Sequence, residues 1–167
     1  MSKVDIDALK VARFYATVKH AGQPYGVLPY THHLAAVEGV LKRFGYIEEH
    51  LLVAAWLHDV VEDTGTKLKE VAEMFGDAVA NLVGAVTNEP GDNRKVRAAL
   101  TYPKIRSVNN GVTLKLADRI ANVENGGKLV HMYKKEYEDF RRALYTECEN
   151  EEMWDHLDTL MEYKVNQ

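Results

Sequence analysis

The segment from Glu48 to Val61 constrains the fold of this chain more strongly than any other. Its central part, 51–57, reads LLVAAWL and carries no charge. A helix that is apolar on every side has to be buried among other elements of a protein. We therefore predict a central, buried helix over 48–61.

Most of the remaining chain repeats apolar residues at the helical spacings of three and four. Clear strand alternation is absent from the sequence, so we predict an all-α fold, a compact single-domain helical bundle. The predicted helices lie over residues 4–20, 31–44, 77–87, 94–107 and 112–123, with a short helix ending near 75 and one or two amphipathic helices over 132–163.

Cap residues mark several helix ends. Thr31 is the predicted N-cap of the second helix, and Gly45 follows its end as a C-terminal glycine would. Thr64 and Thr66 are the predicted caps of the short helix that ends near residue 75.

Length and composition favour one globular domain over residues 1–167. Lys and Arg total 21 against 25 for Asp and Glu, a net charge of −4, so no overall basic field exists to hold nucleic acid. Trp154, Leu157, Leu160 and Met161 form an apolar stripe in the acidic C-terminal part. We interpret this stripe as core, and self-association as a homo-oligomer is the alternative.

Cysteine usage and the N-terminus bear on the compartment. Cys148 is the only cysteine, so the chain has no internal disulfide and no thiolate metal cluster, and an inert thiol is expected. The first seven residues carry charges and lack the apolar stretch of a signal peptide. No run approaches the roughly 18 apolar residues of a membrane span. We predict a cytoplasmic protein without a membrane partner.

The end of the central helix carries the first chemical signal. His58 and Asp59 follow the apolar run, and Glu62 and Asp63 come one turn later, so the four side chains share one end and largely one side of the helix. Burying these groups is costly unless a cation pairs with them. Imidazole with carboxylate suits Mn, Fe, Co, Ni or Zn rather than Ca. The alternative is a solvated helix end.

Two further segments offer ligands of the same kind. His32 and His33 begin the helix over 31–44, and because neighbours on a helix point about 100° apart, only one of them can face a given site. Asp118 lies beside the apolar face of the helix over 112–123, where pairing with Lys115 or Arg119 is the alternative to a role as a ligand. Together, the three segments supply nitrogen and oxygen ligands for one metal ion, which would lower the pKa of a water molecule.

Several motifs occur together in an order that resembles the HD superfamily of metal-dependent phosphohydrolases. More narrowly, they resemble the hydrolase domain of RelA/SpoT proteins and their small stand-alone homologues. The resemblance covers a motif core at about 15–125, followed by C-terminal helices over 130–165. The matching segments are KHAGQ (19–23), PYTHH (29–33), AAWLHDVVEDT (54–64), FGDAV (75–79) and VTLKLADRIANV (112–123).

The resemblance implies an HD-type helical bundle and assigns roles to individual residues. His33 is the histidine in the last position of PYxxH, and Glu62 and Asp63 match the acidic pair that handles the attacking water. Asn122 matches a residue that holds the nucleoside part of the substrate. The implied ion is Mn(II), and the implied reaction removes pyrophosphate from the 3′ position of guanosine tetra- or pentaphosphate. The implied metal ligands are His33, His58, Asp59 and Asp118.

One segment departs from the family pattern. The loop predicted over 21–29 contains no cation, whereas the family usually carries an Arg-Lys pair there that holds the base. Tyr25 is a candidate for stacking on a base instead. The departure leaves open a second function, hydrolysis of a (d)NTP, a nucleoside monophosphate or another nucleotide. A non-catalytic sensor that binds metal and nucleotide is a further alternative, against which the presence of Glu62 and Asp63 argues.

A polyphosphate substrate needs cations near the metal. The helix over 94–107, which Pro103 is expected to interrupt, is basic, and a solvated basic face is the alternative interpretation. The cations in and before the helix over 112–123 are Arg94, Lys95, Arg97, Lys104, Arg106, Lys115 and Arg119. Among them we select Lys104, Lys115 and Arg119 as candidate substrate contacts, and add Lys19 by its position.

Overall fold

The computed structural model describes residues 7–164, which form ten helices and one very short β-hairpin. The all-α prediction is confirmed. The helices are α1 (Ala8–Lys19), α2 (Thr31–Arg43), α3 (Glu49–Leu57), α4 (Val60–Thr64), α5 (Leu68–Phe75), α6 (Asp77–Val86), α7 (Arg94–Ser107), α8 (Gly111–Asn125), α9 (Val130–Leu144) and α10 (Glu151–Met161), and the strands are β1 (Pro24–Tyr25) and β2 (Leu28–Pro29). The predicted start of the first helix, at residues 4–6, lies outside the described residues. No helix within 7–164 has the length and apolarity needed to cross a membrane.

Helix α3 lies at the centre of the core, as predicted. Every residue from Leu51 to Leu57 is buried. The helix packs against α1, α2, α6 and α8, so it has neighbours on all sides. Its uniformly apolar surface is thereby removed from water, which is the main favourable contribution to folding.

The central helix ends earlier than predicted. α3 stops at Leu57 and α4 begins at Val60, so the prediction of one continuous helix over 48–61 was wrong. His58 and Asp59 form the junction, where Asp59 has φ −102° and ψ −2°. Adjacent side chains on a regular helix diverge by about 100°. The junction relaxes that constraint and lets both side chains contact the same site.

Three of the predicted cap residues were also wrong. Thr31 is the first residue of α2, and the N-cap is Tyr30, whose side chain makes no capping hydrogen bond. Thr64 is the last residue of α4, where its hydroxyl donates to the carbonyl of Val60 at 2.6 Å, and its Oγ1 lies 2.9 Å from that of Thr66. Helix α5 starts only at Leu68, so neither threonine caps it.

The segment predicted as a loop over 21–29 contains a two-residue antiparallel hairpin. Pro24 pairs with Pro29 and Tyr25 with Leu28. Gly26 occupies the turn with φ +63°, a conformation that favours glycine. Strands this short have no alternation to detect in a sequence. The hairpin carries Tyr25 toward α2 and α8.

The C-terminal half closes the core. Pro103 is exposed and does not interrupt α7, contrary to expectation, because buried side chains on either side of it, Thr101 and Ile105, hold the helix in place. Trp154, Leu157 and Met161 of α10 are buried in the same hydrophobic cluster as α3, as predicted, and Leu160 packs against it.

Candidate metal centre and active site

Three side chains from three different helices converge on one point. The Nε2 atoms of His33 and His58 are 3.3 Å apart, and Asp118 Oδ1 lies 3.2 Å from His33 Nε2 and 3.6 Å from His58 Nε2. Donor atoms held about 2.1 Å from one ion are separated by about 3.0–3.5 Å in octahedral and tetrahedral sites. The three groups, which are all buried, therefore fit a single transition-metal ion.

The ring orientation of His58 is set from its other nitrogen. Its Nδ1 lies 2.7 Å from the carbonyl oxygen of Ala55 and donates to it, which leaves the lone pair of Nε2 free for a metal. His33 is 1% exposed, whereas its neighbour His32 is exposed at the surface. Of the two adjacent histidines, His33 is thus the one that the structure brings to the metal centre.

Asp59 lies beside this trio without being part of its tightest group. Its Oδ2 is 2.9 Å from His58 Nε2 and 3.7 Å from His33 Nε2. The hydroxyl of Tyr30 donates a hydrogen bond to the same oxygen. Tyr30 is not among the functional residues predicted from the sequence, although it is the second residue of the PYTHH motif.

The charges of the metal centre are strongly coupled. Burial disfavours protonation of His58, but the carboxylates of Asp59 and Asp118 outweigh it and raise the pKa of His58 well above its usual value. Burial likewise opposes ionisation of Asp118, yet Lys115 and the two imidazoles hold its pKa well below the usual range. When no metal is bound, the extra proton on His58 balances the negative charge of Asp59 and Asp118, a role that a metal ion would otherwise have.

Glu62 and Asp63 line the cavity that opens onto the metal centre. The carboxylate of Glu62 accepts hydrogen bonds from the backbone N–H of Asn88 at 3.1 Å and from its Nδ2 at 2.8 Å. Asp63 Oδ2 accepts from Gln23 Nε2 at 2.8 Å. Both acids are exposed to solvent and held from one side. The roles of Asn88 and Gln23 were not predicted from the sequence. Neither residue lies at a helical spacing from the candidate ligands that would have indicated a contact with Glu62 or Asp63.

Asn122 has its side-chain hydrogen bonds satisfied within the protein. Its Nδ2 donates to Asp118 Oδ1 at 2.8 Å, and its Oδ1 accepts from the hydroxyl of Tyr25 at 3.0 Å. Burial, and then the nearby Tyr133 and Asp118, raise the pKa of Tyr25 to about 12, so the phenol remains a donor at neutral pH. Asn122 thus contacts Oδ1 of Asp118, whereas Lys115 contacts Oδ2.

Two cations lie next to the metal centre, of which Arg119 is buried and Lys115 is partly exposed. Lys115 Nζ lies 2.8 Å from Asp118 Oδ2. Arg119 is 4% exposed, with its guanidinium over the rings of Tyr133 and Phe140 at 4.4 and 4.2 Å, and its Nη1 has no hydrogen-bond partner among residues 7–164. A buried guanidinium nitrogen without a partner is suited to bind an anion.

The cavity over the metal centre, called the catalytic cavity below, has a volume of about 410 Å³. It brings together most of the residues singled out from the sequence, but two candidate substrate contacts lie elsewhere. Lys104 Nζ pairs with Glu89 at 2.5 Å and donates to the carbonyl of Thr87, and Lys19 lies over the ring of Tyr15. The catalytic cavity is lined by Tyr25, Tyr30, His33, Asp59, Glu62, Asp63, Asn88, Arg94, Arg97, Ala98, Tyr102, Lys115, Asp118, Arg119, Asn122, Leu129, Tyr133 and Glu136.

Comparison with protein families gives one match that covers most of the chain. Residues 11–148 match the model of the HD domain family, described as "HD domain". This range includes all the residues of the metal centre.

Individual relatives are named as hydrolases of one nucleotide. The chain is 34% identical over 117 residues to the guanosine-3′,5′-bis(diphosphate) 3′-pyrophosphohydrolase MESH1 of Drosophila melanogaster, an alignment that spans 66% of this chain and 65% of the relative. The human protein of the same name is 36% identical over 117 residues. A guanosine-3′,5′-bis(diphosphate) 3′-pyrophosphohydrolase of Aquifex aeolicus is 36% identical over 100 residues, but the alignment spans only 14% of that longer protein.

Two solved structures share the fold. A metazoan orthologue of SpoT, described as hydrolysing ppGpp, superimposes with a TM-score of 0.78 at 25% identity, covering 95% of this chain and 97% of the other. A protein from Listeria monocytogenes EGD-e gives a TM-score of 0.65 at 24% identity, covering 85% of this chain and 98% of the other.

Proposed function

The chain belongs to the HD domain family, and on this premise we propose that it is a metal-dependent phosphohydrolase that removes pyrophosphate from the 3′ position of guanosine 3′,5′-bis(diphosphate). The observation that carries the proposal is the cluster of His33, His58 and Asp118 donor atoms next to the exposed carboxylates of Glu62 and Asp63. The names of the relatives support the choice of substrate.

The proposed cofactor is one divalent transition-metal ion, most simply Mn(II). His33, His58 and Asp118 would hold it, with Asp59 as the fourth ligand. When bound, such an ion polarises a phosphate oxygen and lowers the pKa of a water molecule. Tyr30 orients Asp59 and the Ala55 carbonyl orients His58, so the ligands are held before the ion arrives.

Glu62 is the proposed general base, and Asp63 orients the same water. In the proposed reaction, the water oxygen bonds to the phosphorus attached to O3′, and Glu62 takes the proton that the water releases. The P–O3′ bond breaks, and O3′ takes up a proton to become a hydroxyl. The products are guanosine diphosphate and pyrophosphate. The two bonds from Asn88 keep the Glu62 carboxylate in place during the transfer.

Cations of the catalytic cavity would stabilise the phosphates. The cavity is lined by Arg94 and Arg97 of α7 and by Lys115 and Arg119 of α8. Arg119 Nη1 has no hydrogen-bond partner within residues 7–164, and Lys115 lies next to Asp118. These groups neutralise the charge that grows on phosphate oxygens in the transition state. Lys19 and Lys104, which lie outside the cavity, have no part in this proposal.

The test uses metal-stripped protein, with and without Mn(II), incubated with guanosine 3′,5′-bis(diphosphate) and a panel of nucleotides. Products are identified by mass spectrometry. We expect Mn(II)-dependent formation of guanosine diphosphate and pyrophosphate. Replacing Mn(II) with Zn(II), Co(II) or Mg(II) in parallel reactions tests the metal. Absence of any metal-dependent turnover would contradict the proposed activity.

A second candidate keeps the metal centre and changes the substrate. The hairpin 24–29 contains no cation, so the Arg-Lys pair typical of the family is absent there. The side chain of Asn122 is hydrogen-bonded to Tyr25 and Asp118, so it is already occupied within the protein. This observation favours a different phosphorylated nucleotide. Release of phosphate or triphosphate from another member of the panel, with no reaction of guanosine 3′,5′-bis(diphosphate), would select it. Location in the cytoplasm and assembly into a homo-oligomer stay predictions from the sequence.

A further inference from the structure

The motif KHAGQ at 19–23 contains two side chains that the proposed chemistry does not use. His20 follows the last residue of α1, and Gln23 directly precedes β1. Neither residue lines the catalytic cavity. His20 is nevertheless only 3% exposed. Because a buried polar side chain is costly without hydrogen-bond partners, the contacts of His20 indicate what it does.

Two consecutive side-chain contacts connect His20 to the catalytic cavity. His20 Nδ1 lies 2.8 Å from Gln23 Oε1, and Gln23 Nε2 donates to Asp63 Oδ2 at 2.8 Å. Within residues 7–164, the bond from Gln23 is the only side-chain hydrogen bond that the carboxylate of Asp63 receives. Asp63 is exposed on the five-residue helix α4, so this bond fixes the orientation of its carboxylate. We call this chain of contacts the Asp63 support.

The chemistry of Asp63 sets the direction of both hydrogen bonds. An ionised carboxylate only accepts, so Gln23 has to turn its amide nitrogen to Asp63 and its oxygen to His20. His20 Nδ1 must then carry a proton, because a bare nitrogen would place two lone pairs against each other. His20 Nε2 is buried and has no hydrogen-bond partner among residues 7–164. A proton on Nε2 instead would leave a buried N–H without an acceptor, so neutral His20 is in the Nδ1–H form.

The backbone around the Asp63 support is held as well. The N–H of Gln23 donates to the carbonyl of His20 at 2.9 Å, and the carbonyl of Gln23 accepts from the N–H of Tyr30 at 3.0 Å. The ring of His20 stacks on the ring of Tyr30 with 4.7 Å between their centroids. Gln23 is thereby fixed through its backbone and through its side-chain oxygen. Its amide nitrogen has a defined position from which to hold Asp63.

We propose that His20 and Gln23 are positioning residues for the attack on phosphorus, and that they act by holding the Asp63 carboxylate toward the attacking water. This inference rests on the proposed function for the role of Asp63. Gln23 contacts the carboxylate directly. His20 acts one step further away, because its Nδ1–H keeps the oxygen of the Gln23 amide turned away from Asp63.

Two replacements of His20 separate the hydrogen bond from ring packing. His20→Asn places an amide nitrogen near the position of Nδ1 and keeps a donor, but it removes the ring. His20→Phe keeps a ring to pack on Tyr30 and removes the donor. Gln23→Met interrupts the Asp63 support at its middle with a side chain of similar length. His131→Phe is the matched control, since His131 is exposed on α9 and outside the catalytic cavity. Thermal melts establish that each variant is folded at the assay temperature.

Steady-state kinetics with guanosine 3′,5′-bis(diphosphate) at saturating Mn(II) test the role in catalysis. We expect His20→Phe and Gln23→Met to lower kcat by about ten- to a hundredfold, because misplacing a group near the reaction by about 1 Å can cost that much. KM should stay unchanged, since Asp63 orients the water and does not bind the substrate. His20→Asn should keep most of the wild-type kcat, and His131→Phe all of it.

The combination of His20→Phe with Gln23→Met should be no slower than Gln23→Met alone, because both changes act through one carboxylate. A larger loss in the combined variant would contradict a shared action. A kcat of His20→Phe equal to or above that of His20→Asn would show that the donor is not what matters, and would overturn the inference.

Nitrogen NMR measures the Asp63 support without turnover. In the ¹⁵N-labelled chain, the protonated and unprotonated ring nitrogens of His20 have separate shifts, and their absence from His20→Asn assigns them. Zn(II), which is diamagnetic, replaces Mn(II). At about pH 8, where an ordinary imidazole is neutral, we expect the proton on Nδ1 and a changed Nδ1 shift in Gln23→Met.

The spectrum and the kinetics can fail separately. A proton on Nε2 of His20 in the wild type would overturn the inference whatever the activity. If the proton lies on Nδ1 but no nucleotide is hydrolysed with any metal, the proposed function fails, while the contacts that hold Asp63 through Gln23 and His20 stand.

Discussion

The side chain of Asn88 lies 2.8 Å from Glu62 Oε1, and its backbone N–H lies 3.1 Å from Oε2, so a residue after α6 holds both oxygens of a carboxylate on α4. The hydrogen bonds fix the orientation of the Glu62 carboxylate, which also lines the catalytic cavity. Such a group is preorganised to take a proton from a water molecule at the metal centre. The pairing explains how an acid on a five-residue helix can be positioned accurately.

Glu62→Gln should lower kcat for the proposed reaction by about a hundred- to ten-thousand-fold, the usual contribution of a general base. The amide oxygen can still accept one of the two hydrogen bonds from Asn88, and the side chain keeps its size, so most of the loss would come from proton transfer rather than from the fold. Steady-state kinetics at saturating Mn(II) measure it. Glu73→Gln is the matched control, because the Glu73 side chain is 63% exposed on α5 and lies outside the catalytic cavity. Full activity of Glu62→Gln would remove Glu62 from the mechanism.

Tyr30→Phe should weaken metal binding by about ten- to a hundredfold, the usual cost of losing a group that orients a metal ligand. The variant keeps the ring, which stacks on His20 at 4.7 Å, and loses only the hydrogen bond to Asp59. Isothermal titration calorimetry with Mn(II) measures the affinity. In the control, Tyr46→Phe, a hydroxyl bonded to Asn150 is removed away from the site, and affinity should not change. Equal affinities in both variants would show that Tyr30 does not position Asp59 for the metal.

Metal affinity should rise with pH. The carboxylates raise the pKa of His58 well above its usual value, so the metal-free protein binds a proton that the ion has to displace. Below the raised pKa, the proton competes with the metal, and the competition ends as pH passes through that pKa. We expect weaker Mn(II) binding at about pH 5.5 than at about pH 7.5, with proton release detected by calorimetry in buffers of different ionisation enthalpy. Affinity that does not depend on pH would contradict this coupling.

The raised pKa of His58 makes metal affinity increase with pH, but it makes the stability of the metal-free protein decrease with pH. A folded-state pKa above the unfolded value means that the His58 contribution is fully present below the unfolded pKa and is lost as pH rises through the folded one. The lowered pKa of Asp118 acts in the other direction, with a contribution that is lost as pH falls. Raising the pH should therefore destabilise the metal-free form relative to the Mn(II)-bound form.

Gly111→Ala should destabilise the protein by about 1–3 kcal/mol, the usual cost of overpacking. A Cβ at Gly111, the buried first residue of α8, would lie 2.3 Å from the backbone carbonyl oxygen of Ile105, which cannot move aside as a side chain could. Denaturant unfolding measures the change. Gly39→Ala is the matched control in the middle of α2, where a Cβ meets nothing within 4 Å. This control should stabilise by about 0.5–1 kcal/mol, and a similar stability of both variants would exclude the clash.

The sequence by itself determined the class of fold and the segments that carry the candidate metal ligands. The apolar run 51–57 required burial, and the helical spacing of the other segments indicated helices rather than strands. The family of the chain followed from motifs containing His33, His58 and Asp118, because the spacing of ligands within short segments is a local property. Local patterns suffice for these features, since the period of apolar residues specifies which face of a helix is buried.

Only the tertiary structure decided which candidate groups meet. Lys115 and Lys104 are both lysines near the predicted site, yet one pairs with Asp118 and the other with Glu89 outside the catalytic cavity. The bonds of Glu62 to Asn88 and of Tyr25 to Asn122 join residues 26 and 97 positions apart. No local pattern encodes such pairs, because their geometry depends on how whole helices pack. The break between α3 and α4 at His58 and Asp59 likewise depends on packing, in a segment whose local sequence favours one continuous helix.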